Sequence, residues 1–263
     1  RFEAPYTILF VHSSDEFYGS GVVLYELVRR LDKDKFRPVV VVPTDLPYNG
    51  SLSQALAAEG ITVYRLNMGI LRRRYFSPLK MPGLGRRMLW GSWKLLQLIR
   101  QENVALVHSN TSAVLPGAYA AALTGRPHIW HVHEIIERPQ SVRRFLAYHF
   151  NHYADWVVAI SNAVRDQIRV DAESVDAHLV TIPDAVDVVK FNPSVDGSAL
   201  RRAWHVAPKD VLFGVVGRVH RWKGQDVFIE AAAEVAKQIP EAKFVVVGDA
   251  VLGEEAILPP LRQ

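Results

Sequence analysis

Two cations bracket a glycine turn in the last quarter of the chain: Arg218 follows Gly217, and five positions later Lys223 precedes Gly224. The apolar, β-branched run 211–216 before the turn reads as a buried strand. After it, 225–238 carries Val227, Ala231 and Val235, with Ile239 just beyond, at helical spacing. A strand that feeds a helix through glycines brings unpaired backbone N–H groups and the positive end of the helix dipole to one place, which suits an anion. With two cations able to converge there, the natural guest is a diphosphate. The spacing is not the dinucleotide fingerprint, since no glycine intervenes between Gly217 and Gly224, nor the Walker loop, since no Gly-Lys-Ser/Thr follows. A basic turn in any α/β protein is the plainer reading of the same residues.

The elements that must position such a turn alternate along the chain. Strands are expected at 6–12, 37–42, 61–66, 104–107, 129–132, 156–160 and 179–182, and helices at 22–31, 52–58, 86–100, 113–123 and 142–152. Leu24, Leu27, Val28 and Leu31 fall on one face of their helix. This alternation implies an α/β fold, a parallel sheet with helices on both faces. A first domain at 1–183 is followed by a stretch rich in Asp, Pro and Gly or Ser, 184–208, read as an interdomain linker. A second domain then begins at 209–263, with strands at 210–217 and 242–247. One and a half strand–helix units cannot cover both faces of a parallel sheet, so the second domain is expected to be incomplete. The chain opens on Arg1 rather than methionine, which places its start inside a longer polypeptide.

Ligands of doubly wound sheets collect at the carboxyl ends of the strands. After the first strand, 13–21 reads as a small flexible loop whose Gly19 and Gly21 let backbone amides approach a phosphate or sugar; an ordinary tight turn is the alternative. Alternation along 129–134 puts His131 and His133 on one side and Trp130 and Val132 on the other. A histidine at a strand end can donate to a sugar hydroxyl or phosphate, or simply be a satisfied structural residue. Ser161 or Asn162 reads as a helix N-cap.

Gly217-Arg218 followed by Lys223-Gly224, and then a helix with Glu230-Ala231, resembles the donor-diphosphate loop of retaining glycosyltransferases of family 4. Other stretches agree. The segment 13–21, followed by Glu26-Leu27 and Leu31, resembles the family's glycine loop, with Tyr18 in place of one paired glycine and Gly21 at a usually acidic or polar position. His133-Glu134 matches a histidine and acid at the equivalent strand end, which implies His133 as the catalytic-site histidine. The strand 104–110 matches one ending in histidine, with Ser109 and Asn110 facing the cleft as acceptor contacts. The segment 182–187, with Phe191 and Pro193, is similar to the interdomain Pro-Asn-Gly-Val-Asp motif, with Asp184 and Ala185 replacing Asn and Gly.

The resemblance runs to Gly248 and implies a GT-B fold: an N-terminal, acceptor-side Rossmann-like domain and the start of a second, nucleotide-sugar-binding one. It implies retaining transfer from a UDP- or GDP-sugar to a hydroxyl of a glycan or lipid-linked acceptor, in cell-surface polysaccharide synthesis. The family's two glutamates, eight positions apart, are missing, and Glu254 and Glu255 are adjacent. The chain is therefore expected to be inactive alone. The competing readings are a non-catalytic module completed by a partner and a GT-B sugar-nucleotide epimerase. No Asp-x-Asp pair is placed to bind a divalent ion, so neither metal nor cofactor is expected.

Composition narrows the partners. The absence of cysteine excludes disulfides and thiolate metal sites and suits a cytoplasmic setting. The apolar run 6–11 is too short for a signal or spanning helix. From 60 to 101 there is no acid, but Arg65, Arg72, Arg73, Arg74, Lys80, Arg86, Arg87, Lys94 and Arg100 are interleaved with Tyr75, Phe76, Trp90 and Trp93. In the helix 86–100, Leu89, Trp93, Leu96 and Ile99 fall near one face with basic residues at its edges. That pattern suits peripheral docking on an anionic inner membrane surface. Packing of that stripe on the sheet is the alternative. No nucleic-acid motif accompanies the charge, so nucleic acid is not expected as a partner.

Overall fold

The computed structural model describes residues 2–172, 175, 178–250 and 255–257; Glu254 of the glutamate comparison lies outside them. The chain divides into two compact units, Arg1–Ala185 and Val186–Gln263.

The first unit holds seven parallel strands: β1 (Tyr6–His12), β2 (Phe36–Pro43), β3 (Thr62–Leu66), β4 (Val104–Asn110), β5 (His128–Val132), β6 (Trp156–Ala159) and β7 (Leu179–Thr181). They are ordered β3-β2-β1-β4-β5-β6-β7. The strand order reverses between β1 and β4, which makes their carboxyl ends the switch point where such sheets bind ligands. The connecting helices are α1 (Gly19–Arg29), α2 (Ser51–Ala58), α3 (Met81–Gln101), α4 (Leu115–Thr124), α5 (Gln140–Tyr153) and α6 (Asn162–Arg169). Ser161 caps α6, its hydroxyl accepting from Val164 N–H at 3.2 Å.

Both faces of the sheet are dry, which is why the central strands read as nearly continuous apolar runs. Phe10, Val40 and Val42 pack with Leu24, Val28, Leu52 and Leu56 of α1 and α2. Leu9, Val11, Val39 and Val41 pack with Leu95, Leu98 and Ile99 of α3 and Ala120 and Ala121 of α4. Trp130, Val132 and Val157 close the far end with Leu146, Phe150, Val164 and Ile168.

Helix α3 begins earlier than the apolar spacing suggests, because Pro82 sits in its first turn, where a missing N–H costs nothing. Its buried side is Leu84, Gly91, Ser92, Leu95, Leu98 and Ile99. Ile99, expected on the same face as Trp93, therefore belongs to the core, while Leu89, Trp90 and Trp93 face outward. A helix that must cover a sheet gives its most continuous stripe to the core, and here that stripe runs through Gly91 rather than Trp93. A Cβ on Gly91 would lie 2.5 Å from Met68 Cα, and one on Gly69 (φ 71°) would lie 2.7 Å from Met88 N. These two glycines let residues 67–70 lie directly on the helix.

In the second unit, α7 (Ser198–Ala203) lies within the stretch read as linker, followed by β8 (Val211–Val216), α8 (Gln225–Gln238) and β9 (Ala242–Val247). Strands β8 and β9 pair in parallel. The expected burial of β8 is not found: Val211 is 49% and Val216 80% exposed. β-Branched residues specify an extended backbone, but burial needs covering layers, and two strands with a single neighbouring helix supply too few. The inward stripe of α8 is Gln225, Phe228, Ala232 and Val235, not the one through Val227, which is 64% exposed. Phe228 meets Phe244 edge-on, with ring centroids 6.1 Å apart, and Phe244 stacks on Phe213.

The glycine contacts give a paired test. Gly91→Ala should lower the urea midpoint by the equivalent of about 1–3 kcal/mol through overpacking. Gly85→Ala, in the same helix with nothing within 4 Å, should be neutral or stabilising by up to about 1 kcal/mol. Equal midpoints for the two variants would contradict the close approach of 67–70 to α3.

Candidate functional site

At the switch point the central residue is Asn110, the last of β4 and fully buried. Its amide nitrogen donates to Ser20 O at 3.2 Å and sits 3.0 Å from His12 Nδ1. With the nitrogen so placed, its oxygen faces His133 Nε2 at 3.1 Å. His133 must therefore carry its proton on Nε2, and Nδ1 is left as an acceptor. Burial lowers the His133 pKa to about 4, so the ring is neutral. Asp184 Oδ2 stands 3.8 Å from His133 Nδ1. That gap is too long for a hydrogen bond, and the pair is a neutral imidazole beside a carboxyl whose own pKa is raised by burial.

The neighbours of Asn110 diverge. Ser109, expected to face the cleft, points the other way: it is fully buried, its Oγ 2.9 Å from His128 Nε2 and packed against Gly117 of α4. Side chains alternate along a strand, so Ser109 and Asn110 cannot both face the ligand. Thr111 follows at φ 97°, a conformation that a β-branched residue adopts only under constraint. It is held there by its N–H to His131 O at 2.8 Å and by Trp130 Nε1 donating to its carbonyl at 2.9 Å. Glu134 accepts from Ser112 N–H at 3.1 Å and Oγ at 3.0 Å, which ties the exits of β4 and β5 together.

The segment after β1 is not the flexible loop its composition suggests. Asp15, fully buried, accepts from Ser53 N–H at 2.9 Å and Oγ at 3.1 Å in the first turn of α2 and pairs with Arg65 at 3.1 Å. A carboxylate suits that helix start. Arg72 bonds Ser13 O at 2.7 Å and Asp45 Oδ2 at 2.7 Å, and also meets the Tyr48 hydroxyl. Gly19 and Gly21 both belong to the first turn of α1. Gly21 is a packing glycine, since a Cβ there would lie 2.6 Å from Glu16 O; Gly19 (φ 28°) has open space around it.

In the second unit, Gly217 ends β8 against Gly248, where a Cβ would collide with the Gly217 carbonyl. Arg218 follows, then the 3-10 turn Arg221–Lys223, and Gly224 in the left-handed region (φ 68°) opens α8. Gln225 staples this turn: buried, it donates to Arg218 O at 2.9 Å and accepts from His220 N–H at 3.3 Å. Arg218 and Lys223 are both exposed beside the start of α8.

The model of Glycosyltransferase Family 4 matches residues 17–190, and that of Glycosyl transferases group 1 matches 198–256. This chain belongs to glycosyltransferase family 4. Among solved structures, the family 4 chain is similar to Anabaena Alr3699/HepE in complex with UDP-glucose, at 25% identity and TM-score 0.76 over 98% of this chain and 64% of that one. A glycosyltransferase from Rickettsia africae shares the fold at 19% identity and TM-score 0.69. The fold is of the GT-B type: a Rossmann-like parallel sheet followed by the start of a second Rossmann-like unit. D-inositol 3-phosphate glycosyltransferase of Segniliparus rotundus is 35% identical over 69 residues, which is 26% of this chain and 15% of that protein. The enzyme of that name from Actinosynnema mirum is 30% identical over 87 residues, 33% of this chain and 21% of its own length. The chain thus spans less than two thirds of the Anabaena protein and of these two curated relatives.

Sequence reasoning missed His12, Thr111 and Gln225, and counted Arg72 among the membrane-facing cations, where the structure commits it to Asp45 and Ser13. His12 and Gln225 border glycine turns and so carried some signal; Thr111 and Arg72 take their importance from contacts distant in sequence. A pH dependence follows from the buried histidines. Burial lowers His12, His128 and His133 to about 4 and His131 to about 3. The unfolded chain binds protons from about pH 6.5 downward, where the folded one does not. Stability is therefore full above pH 6.5 and is lost as pH falls toward 4, by of order 1 kcal/mol per histidine for each pH unit. Glu134 and Asp184, raised by burial, act in the opposite sense but are fewer. Urea midpoints should drop between pH 7 and pH 5 and drop less in His131→Leu; a flat profile would contradict neutral burial.

Proposed function

We propose that the protein to which this chain belongs is a retaining glycosyltransferase that moves a sugar from a UDP- or GDP-sugar to a hydroxyl of a glycan or lipid-linked acceptor in cell-surface glycan synthesis. The observation that carries this is the turn from β8 to α8 in a family 4 chain. The UDP-glucose in the Anabaena structure supports a nucleotide-sugar donor. As the glycosidic bond breaks, negative charge grows on the leaving diphosphate. Arg218, Lys223 and the N–H groups at the start of α8 supply fixed positive charge for it without a metal ion. Gln225 removes the turn's freedom beforehand, so little reorganisation is needed during reaction.

In the first unit, His133 offers Nδ1 to a sugar hydroxyl as an acceptor, because its proton is committed to Asn110. Gly19 leaves room for a sugar or phosphate at the start of α1, and Asn110 serves the acceptor side by orienting His133. Retention of configuration rests on the family resemblance alone. The second unit of this chain, with one helix on two strands, is read as part of a larger donor domain, and the chain by itself is expected to be inactive.

We place the protein at the cytoplasmic face of a membrane, held peripherally by α3. Among the described residues no helix is long and apolar enough to cross a membrane. The outward face of α3 carries Leu89, Trp90 and Trp93, and Lys94 lies 5.5 and 4.9 Å from the centroids of the two indoles. Tryptophan beside lysine suits the interface. Arg72 cannot take part, being engaged with Asp45.

Two experiments test this reading. In the full-length protein, Arg218→Ala and Lys223→Ala should each weaken UDP binding by roughly 1.5–3 kcal/mol, or about 10- to 150-fold in Kd, with folding intact; undiminished binding would remove the diphosphate role. In vesicle co-sedimentation, Trp93→Ser/Lys94→Glu should abolish retention on anionic lipid at low salt. Equal retention on neutral and anionic vesicles would refute the membrane surface.

A further inference from the structure

A second concave feature lies apart from the switch point. Asn67, Arg86, Arg87 and Trp90 line an open surface hollow of about 290 Å³ between the exit of β3 and α3, at the small end of ligand pockets. It exists because of the two glycines: Gly91 admits Met68 to the helix surface and Gly69 admits the backbone at Arg87 and Met88, which brings Asn67 alongside the helix. Its chemistry is one-sided. Neither Arg86 nor Arg87 has an acidic partner among the described residues, and the nearest acids in sequence are Glu59 and Glu102. The other well-placed cations of this region are used internally, Arg65 by Asp15 and Arg72 by Asp45.

Arg87 is pre-set. Its guanidinium lies 4.6 Å from the centroid of the Tyr75 ring, and its Nε is buried without a hydrogen-bond partner. Trp90 forms an apolar wall, and Lys94 lies on the same indole.

We propose that this hollow binds a phosphate monoester. Arg86 and Arg87 bind its oxygens, Asn67 meets the ester oxygen or a neighbouring hydroxyl, and Trp90 packs against the carbon skeleton. Two guanidinium groups suit a dianionic head, since planar forks match phosphate oxygens pairwise. The site stands independently of sugar transfer; only the source of the phosphate, a lipid headgroup or a soluble sugar or polyol phosphate, bears on the membrane reading of α3.

The probe is sn-glycerol 3-phosphate, titrated calorimetrically into the chain. Binding should be saturable, and Arg86→Gln/Arg87→Gln should weaken it at least about tenfold. A control with equal charge loss on exposed residues elsewhere, Lys33→Gln/Arg144→Gln, should bind like wild type. Arg86→Gln alone, at an exposed position, keeps the test available if the double variant loses its fold and should weaken binding severalfold. Phosphatidylcholine vesicles containing phosphatidic acid separate the sources. Retention that the pocket variants lose and that glycerol 3-phosphate displaces assigns a headgroup; retention indifferent to both, with the soluble probe still lost in the variants, assigns a soluble ester. Absence of saturable binding of the soluble probe, or equal loss in the charge-matched control, overturns the proposal. Since no sugar nucleotide enters the assay, such a failure would leave the donor reading untouched.

Discussion

The ligand end of the first unit depends on one buried amide. Asn110 is shut away from water, and an unbonded amide there would cost several times the thermal energy, so each of its groups must find a partner. The partners come from three places: the start of α1 through Ser20, the end of β1 through His12 and the exit of β5 through His133. Satisfying the amide therefore fixes the spacing of three segments distant in sequence and selects the tautomer of His133. The strain at Thr111 follows from the same constraint, because the chain must leave β4 without disturbing Asn110.

Charge in this unit is divided by the same principle. A guanidinium near the sheet edge persists only if its hydrogen bonds are met. Arg72 spans Ser13, Asp45 and Tyr48, and Arg65 reaches the buried Asp15. These two hold the turn after β1 against the start of α2, and so are architectural. Arg87, stacked on Tyr75, and Lys94, over two indoles, keep their charge at the surface. A basic stretch in the sequence thus becomes two populations with different work.

The second unit shows what a βαβ segment can and cannot do alone. Gln225 and the pair Gly217 and Gly248 shape the turn from within, since all their contacts are local or between adjacent strands. The strand faces, by contrast, remain open, because hydrophobic burial needs neighbours that two strands and one helix do not provide.

How much was legible divides along the same line. Strand and helix order, the parallel sheet, the glycine turn with Arg218 and Lys223, and the pairing of His131 with Val132 on opposite faces were all written in local periodicity and composition. Local backbone preference and side-chain alternation act over a few residues, so the sequence carries them directly. The orientation of Ser109 also obeyed that alternation, but which of its two faces met α4 was set by packing. The phase of α8, the outward turn of Trp93 with Ile99 inward, the commitment of Arg72 to Asp45 and the protonated nitrogen of His133 were decided only by tertiary structure. Each depends on a partner beyond its own element, brought near by strand pairing and, in the first unit, by the close approaches that Gly69, Gly91 and Gly117 permit.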